Sequence, residues 1–579
     1  MNRIILIFVL FCNSAAFGQH YFNNTVDIVG IGGVEVFRGI AHNVSEDKFY
    51  LIGTSSGFEF NNNPLVIKFN ESGETLDTMW IDNSSEGLYF APGYNNYSII
   101  DAEDNIIFVG AFGFPENARA TAIIFKINAL GDTLWTREFG NESSFDAFSS
   151  IRFTNDSNYV MAGYSTRFGS FAQAWLVKMA PDGTILWQQN YGGFGGEFAY
   201  SVDTTADGGY ILAGFTDTYG AGERDIYVIK TDAFGNMEWE KWLGTPGNDG
   251  GFAKQLADGT FLVYGARNFI HPEFGWLDAV HGYVINLDGD GNIIWAKDYA
   301  NYDSTSILYY ANFEEILDCE IVSDGFVFCG NSKDSTINNP VGWVFKTDFH
   351  GNVIWNRKYN IRTNDNYLWD MLELPGGDLL FGGFVFPTGG GVDSQDGWIM
   401  RTNCLGFNGP PVLDATMSLN SENQTVTITN SSLRFGDGSI NWGDGNITYF
   451  TEHDSILQSH TYTQNGDYAI LFKINACYHH DSLAFNTTIS GIPGPPITPF
   501  TFYPNPTTGQ LTINYNPTGE PLDAGIQIID MAGRLVFTLD LPTFFVSTTL
   551  NLSTLSKGTY LLRFFTANGD EIVEKLVVY

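Results

Sequence analysis

Apolar and polar residues alternate with a period of two over most of the first four hundred positions, and the runs break at glycine, asparagine or aspartate. The stretch 199–244 shows the pattern in full. AYSVDTTADG predicts a strand and a turn, and GYILAGFT predicts an apolar strand. DIYVIKTDAFG predicts a third strand ending in a tight turn, and NMEWEKWLG a fourth strand. Two phrases from this unit recur along the chain. The first reads LVIKFNESG, AIIFKINALG, WLVKMAPDG, YVIKTDAFG, YVINLDGDG, WVFKTDFHG and WIMRTNCLG, ending at Gly73, Gly131, Gly183, Gly235, Gly291, Gly351 and Gly406. The second is an apolar run closed by glycine, at Gly53, Gly110, Gly163, Gly214, Gly265, Gly330 and Gly382. Two phrases in fixed order, each present seven times, define a repeat.

Four short strands per unit, joined by glycine turns, predict a blade of a β-propeller. Seven blades over 19–408 would close into a ring without exposed edges. The glycine ending the third strand supplies the positive φ of a tight hairpin. Four residues beyond it stand Trp135, Trp187, Trp239, Trp295 and Trp355, and a second aromatic column holds Trp175, Tyr227, Tyr283, Trp343 and Trp398. At these period-two positions the rings read as packing between blades. Lys68, Lys126, Lys178, Lys230 and Lys346 share one strand position and read as structural. The G-x-x-x-W phrase resembles the tryptophan-docking repeat of quinoprotein dehydrogenase propellers, and also the repeats of secreted propellers that hold no quinone. The resemblance implies the fold. The chain shows no adjacent cysteine pair and no clear acidic and amide set for a calcium–quinone centre, so such a dehydrogenase is a distant reading.

Composition changes the picture in one respect. With 65 acidic and 28 basic residues the net charge is −37, which argues against nucleic acid or an anionic membrane as a partner. Hydrophobic residues at 44% exclude wholesale disorder. At the amino terminus Arg3, the apolar run 4–11 and Ala16-Phe17-Gly18 read as a secretory signal peptide, 1–18, cleaved near Gly18/Gln19. A lipoprotein signal at Cys12 is the weaker alternative, because Phe11 precedes it. Cys319 and Cys329 flank the turn Ser323-Asp324-Gly325. A disulfide across that hairpin is one reading, and two small buried thiols the other.

Periodicity stops after Gly406. In 412–490, Trp442, Gly443, Asp444 and Gly445, followed by His460, Tyr462, Gly466 and Tyr468, resemble the polycystic-kidney-disease (PKD-like) domain, an immunoglobulin-like β-sandwich that serves as spacer or surface-binding module. The linker 491–499 is rich in proline and glycine. In 500–579, YPNPTTGQLTIN, IQIIDMAGRLVF, LNLSTLSKGTYLLRF and EKLVVY resemble the type A C-terminal sorting domain of the type IX secretion system. Pro504, Asn505, Pro506, Gly509, Asp530, Gly533, Gly558, Tyr560 and Lys575 fall on that pattern. The resemblance implies type IX secretion machinery as partner, periplasmic transit, and a secreted or cell-surface destination with attachment to surface lipopolysaccharide or release.

In a meander of this kind, turns 1–2 and 3–4 lie on one face and loops 2–3 and 4–1 on the other. The second set varies in length here, which makes that face the place to look for a ligand. Its longest loop, 266–281, carries His271, Glu273, Trp276, Asp278 and His281, residue types that can grip a sugar or move protons. LDGDGN, with Asp288, Asp290 and Asn292, offers a faint Ca2+ loop. Asp288 matches Asp232 and Asp348 of sister repeats, however, so turn chemistry is the first reading. No nucleophile-elbow phrase, other cofactor or metal site stands out. The expectation is an exported all-β protein with a non-enzymatic binding or adhesion role toward a glycan or protein. A secreted polysaccharide-acting enzyme and a structural surface protein are the alternatives.

Overall fold

The computed structural model describes residues 21–28, 34–56, 62–81, 89–114, 119–141, 143–169, 171–270, 277–300, 314–333, 339–386, 395–452, 454, 456–477, 479–490, 500–515, 524–541, 547–566 and 571–579. All regular elements among them are strands. The chain divides into two compact units, one holding 1–416, 428–458 and 470–485, the other 417–427, 459–469 and 486–579.

Among the described residues up to 402, the first unit contains seven antiparallel sheets, spanning 34–80, 89–139, 146–191, 197–243, 250–299, 314–359 and 366–402. Each is a meander whose first strand is innermost, and each packs on the next. Phe37, Ile40 and Leu51 of the first sheet share a core with Leu380 and Ile399 of the seventh, so the ring is closed. The seventh sheet takes its outer strand from the amino-terminal end: Phe22–Val26 pairs antiparallel with Gly397 to Arg401. This is a β-propeller.

The repeated glycines have separate structural reasons. In five sheets the inner strand carries a bulge, adding Arg38, Ser149, Tyr200, Leu317 or Trp369 opposite the second strand. Facing the bulges are Gly53, Gly163, Gly214, Gly330 and Gly383, where a Cβ would lie only 1.8 to 2.2 Å from a carbonyl oxygen of the inner strand. The seventh member of this series is therefore Gly383; the sequence phrase ended one residue early, at Gly382, which instead packs on Leu51 and Ile40 of the first sheet.

The turn glycines adopt φ of +73° to +87°. They also form the floor on which the preceding sheet docks. A Cβ on any of the seven would lie 2.5 to 2.9 Å from a side chain of that sheet. Trp187, Trp239, Trp295 and Trp355 cover Gly235, Gly291, Gly351 and Gly406, while Met79 and Arg137 cover Gly131 and Gly183. Phe22 covers Gly73, so the closure strand repeats the contact made at every other joint. Tyr191, Tyr299 and Tyr359 reinforce it by donating hydrogen bonds to the carbonyls of Gly235, Gly351 and Gly406.

The recurring lysines close the 1–2 turns. Lys126 pairs with Asp101, Lys178 with Asp156 and Lys230 with Asp207, all at 2.8 Å, and Lys68 and Lys346 pair with Glu46 and Asp324. In the fifth sheet Asn286 takes the position and donates to Thr260 Oγ1; in the seventh Arg401 pairs with Asp378.

Cys319 and Cys329 form no disulfide. In the hairpin register Cys319 lies opposite Phe328 and Cys329 opposite Asp318, an odd offset that sends the two thiols to opposite faces of the sheet. The disulfide joins Cys404, just past the seventh sheet, to Cys477, with Cα atoms 6.1 Å apart. Beyond residue 412 lie a three-stranded sheet (Ala415–Asn420, Thr425–Asn430, Leu457–Thr461) and a four-stranded one (Ile447–Thr451, Asp437–Asn441, Gly466–Ala476, His479–Ile489). The carboxy-terminal part forms a three-stranded sheet of Phe500–Tyr503, Gln510–Tyr515 and Ser547–Asn551, and a four-stranded sheet ordered Leu535–Leu541, Ala524–Asp530, Gly558–Thr566, Glu571–Val578. Leu511, Ile526, Leu550 and Leu576 are among the residues of their shared core.

Two predictions follow from these contacts. Gly214→Ala drives a methyl onto the Phe198 carbonyl, which the bulge holds in place, and should cost about 3 kcal/mol. Gly259→Ala meets no atom within 4 Å and strains only its φ of +86°, so it should cost about 1 to 2 kcal/mol. Equal losses in thermal unfolding would remove the backbone-contact explanation.

The second concerns acid. Burial raises the Asp207 carboxyl, but Lys230 and Thr205 outweigh it and bring its pKa down to about 2. A lowered carboxylate stabilises the fold above its ordinary value of 3.8, and that stabilisation disappears as pH falls toward 2. Asp207→Asn should therefore flatten stability between these limits, by no more than about 1 kcal/mol for so exposed a partner. An unchanged acid melting profile would refute the assignment.

Candidate functional site

The axis of the propeller is blocked by one irregular segment. In the second sheet the inner strand breaks between Tyr89–Pro92 and Ser98–Ile100. Gly93 and Tyr97 both bond Val109 of the second strand, and residues 94–96 between them leave the ladder and cross the channel. Asn95 donates to the Leu317 carbonyl at 2.9 Å, Asn96 to Asp318 at 3.0 Å, and Tyr97 to the Ile52 carbonyl. The backbone N–H of Tyr94 donates to the Ser149 carbonyl at 2.9 Å. This segment thus ties to the sixth, first and third sheets.

On the variable-loop side of this plug the bulges place aromatic residues and a cation at the axis. Tyr94 and Tyr200 stack at 4.5 Å, although their sheets are not adjacent. Trp369 Nε1 donates to the Tyr94 carbonyl at 2.8 Å. The Arg38 guanidinium lies 4.3 Å from the Trp369 ring and 5.2 Å from the Tyr94 ring. All four side chains are half-buried, with part of each open to solvent. A ladder of rings runs outward from Tyr200 through Phe215, Phe198 and Tyr164 to Phe145. On the opposite side Trp369 continues to Phe384, Tyr367 and Phe386. Glu315, within range of the Arg38 charge, accepts a hydrogen bond from Asn331 Nδ2 at 2.9 Å, and burial pushes its carboxyl pKa up.

The other side of the plug is ionic. Lys254 lies 3.6 Å from Asp318 and 3.8 Å from Glu320, and Arg152 lies 3.9 Å from Asp203. Asp318 also accepts from the Met371 N–H, and Asp370 from the Ile40 N–H at 2.8 Å. Burial raises both carboxyls, but Lys254 and a hydrogen bond from Asp370 bring Asp318 below its usual range. Asp370, buried and facing that charge, is driven well above the ordinary carboxylate range. A depression of about 510 Å3 opens on the same face, lined by Ile40, His42, Asn96, Ser98, Ile100 and Glu373 among others.

The loop read from the sequence as 266–281 is largely hairpin: Phe261–Ile270 pairs with Leu277–Leu287, so only 271–276 connects them. His271, Glu273 and Trp276 lie outside the described residues, and Asp278 is in a strand with its side chain outside the description. His281 is buried in that strand, opposite Arg267, and burial lowers its imidazole pKa. The described part of this set thus assembles no site. The axial residues went unnoticed because Arg38, Tyr200 and Trp369 share a bulge position but no residue type, and Tyr94 belongs to the irregular segment of the second sheet. The available signal was the irregular APGYNN of the second unit.

Asp288 accepts from the N–H groups of Asp290 and Asn292 and from Asn292 Nδ2, as Asp232 and Asp348 do in their own turns. That is turn chemistry. Asp27, Glu35 and Asp396 bring carboxylate oxygens within 4.8 Å of one another beside the closure strand, and Arg362 lies 3.7 Å from Asp396. Asp444 of the PKD-like phrase likewise bonds the N–H and side chain of Asn446, two residues on.

The sorting-motif residues are structural in a similar sense. Asn505 accepts from the Val577 N–H at 2.9 Å and donates to the Lys575 carbonyl at 2.7 Å, fastening the last strand. Asp530 caps the turn through the N–H groups of Ala532 and Arg534, with Gly533 at φ +82°. Tyr560 donates to the Ser556 carbonyl and Gly509 to Thr507.

The class is therefore an all-β chain whose larger part is a propeller. Among solved structures it is similar to the β-propeller domain of the Trilobed protease from Pyrococcus furiosus, at 9% identity and TM-score 0.36, over 65% of this chain and 97% of that one. A protein of unknown function from Dyadobacter fermentans matches at 12% identity and TM-score 0.37, over 66% and 99%. An ulvan lyase of polysaccharide lyase family PL25, bound to a glucuronate–sulfated rhamnose ligand, matches at 9% and 0.38, over 66% and 94%. No curated protein matches the chain. Residues 501–579 match the family described as Secretion system C-terminal sorting domain. Such a tail implies handling by the type IX secretion machinery and delivery to the cell surface or beyond.

Asn505→Ala removes both bonds to the final strand and should lower the stability of the carboxy-terminal domain by about 1 to 3 kcal/mol. Faster amide exchange at Val577 is the expected signature; unaltered exchange there would show that the strand does not depend on Asn505.

Proposed function

We propose that the protein is exported with the aid of a signal peptide, crosses the outer membrane by the type IX route, and acts there as a binding or adhesion module. The PKD-like segment serves as spacer and the variable face of the seven-bladed propeller carries the ligand. One observation supports this reading most: part-exposed rings from three sheets converge with a cation at the axis, on the face whose loops vary. Flat apolar rings beside polar groups suit the faces of sugar rings or flat peptide segments. Among the described residues the axial carboxylates Asp318 and Asp370 sit on the other side of the plug, engaged by backbone N–H groups and Lys254. The variable-face mouth offers stacking surface in place of an acid pair, which favours binding over hydrolysis.

Two measurements test the reading. The secreted full-length chain, probed on an array of glycans and surface proteins, should show a ligand whose binding falls at least tenfold in Tyr200→Ala/Trp369→Ala. Binding indifferent to that double change would move the site elsewhere. Deleting 501–579 should leave the protein in the periplasm, and normal surface display would refute the export route.

A further inference from the structure

The Arg38 guanidinium is set differently from the other cations of the propeller interior. Lys126, Lys178, Lys230 and Lys254 each face a carboxylate within 4 Å. Arg38 faces two aromatic rings instead, and among the described residues its buried Nε has no hydrogen-bond partner. Glu315 is bonded to Asn331 and lies beyond ion-pair reach. The two rings flank the guanidinium, and among the described residues no carboxylate pairs with it, an arrangement that suits a bidentate carboxylate.

Resting on the binding role proposed above, we infer that the axial mouth recognises a saccharide carrying a single carboxylate, with Arg38 taking the carboxylate and Trp369, Tyr94 and Tyr200 taking the sugar faces. The net charge of −37 limits the ligand further. A polymer charged at every residue would be repelled by the rest of the surface. One carboxylate on an otherwise neutral chain feels mainly the local cation, because salt screens charge interactions beyond about 8 Å at physiological ionic strength. The expected ligand is thus a mostly neutral glycan bearing an isolated uronate.

Calorimetric titration of the secreted full-length protein tests this with three probes: a neutral glucose tetrasaccharide, the same tetrasaccharide ending in one glucuronate, and a tetra-glucuronate. The mono-uronyl probe should bind at least tenfold tighter than either of the others. Arg38→Gln should abolish that preference while leaving the weaker binding of the neutral probe in place, and Arg38→Lys should restore it only in part. Trp369→Phe, which keeps a ring, should retain the preference, showing that the mouth is still formed. A preference that survives Arg38→Gln in a variant with native melting temperature overturns the assignment of Arg38. Tightest binding by the tetra-glucuronate overturns the isolated-charge argument. Equal binding of all three overturns this inference alone, whereas binding of none overturns the glycan-binding role with it.

Discussion

Everything in the propeller depends on backbone atoms coming closer than a Cβ permits. Each sheet uses this twice. Within most sheets, a glycine in the second strand lets the inner strand bulge against it. Between sheets, a turn glycine in the left-handed region gives the preceding sheet a floor. The first contact decides which side chains reach the axis, and the second sets the spacing around the ring. Remove either and the defect is a steric overlap with main chain or with a packed ring, which no rotamer change on the glycine's own residue relieves.

Regularity in the outer strands therefore supports irregularity at the centre. Bulges direct one extra residue per inner strand toward the channel, and that residue is free to differ: Arg38, Ser149, Tyr200, Leu317 and Trp369 have nothing in common but position. The second sheet goes further and turns its inner strand into a plug. A single axis is thereby partitioned into an aromatic mouth with one cation and an ionic mouth where Lys254 holds Asp318 and Glu320. The fold provides the address, and the non-repeating residues provide the chemistry.

This division also governs what could be read from the residues alone. The strands, turn glycines, docking tryptophans and turn-closing lysines were legible because their chemistry recurs with the repeat. The sorting-tail turns were legible for a similar reason, since proline, asparagine and glycine fix their own backbone. The axial site was not, because a bulge shifts register by one residue and period-two reasoning cannot see it. The thiols failed for a more local reason: the turn holds only Ser323 and Asp324, so Val322 pairs with Gly325 and the register carries Cys319 to Phe328 and Cys329 to Asp318. Cys404 and Cys477 meet across a sequence separation of 73 residues, a long-range fact with no local signature.

The closure strand carries a kinetic consequence. Phe22–Val26 completes a sheet whose other strands end at Thr402, so the ring cannot shut until nearly the whole propeller has been made. Until then the chain is an open row of blades with an unpaired edge at the seventh sheet and an uncovered Gly73 floor at the first. Contacts so distant in sequence form slowly and leave strand edges available to other chains. In a propeller built this way the ring closes only when its first strand, Phe22–Val26, meets its last, Asp396–Thr402.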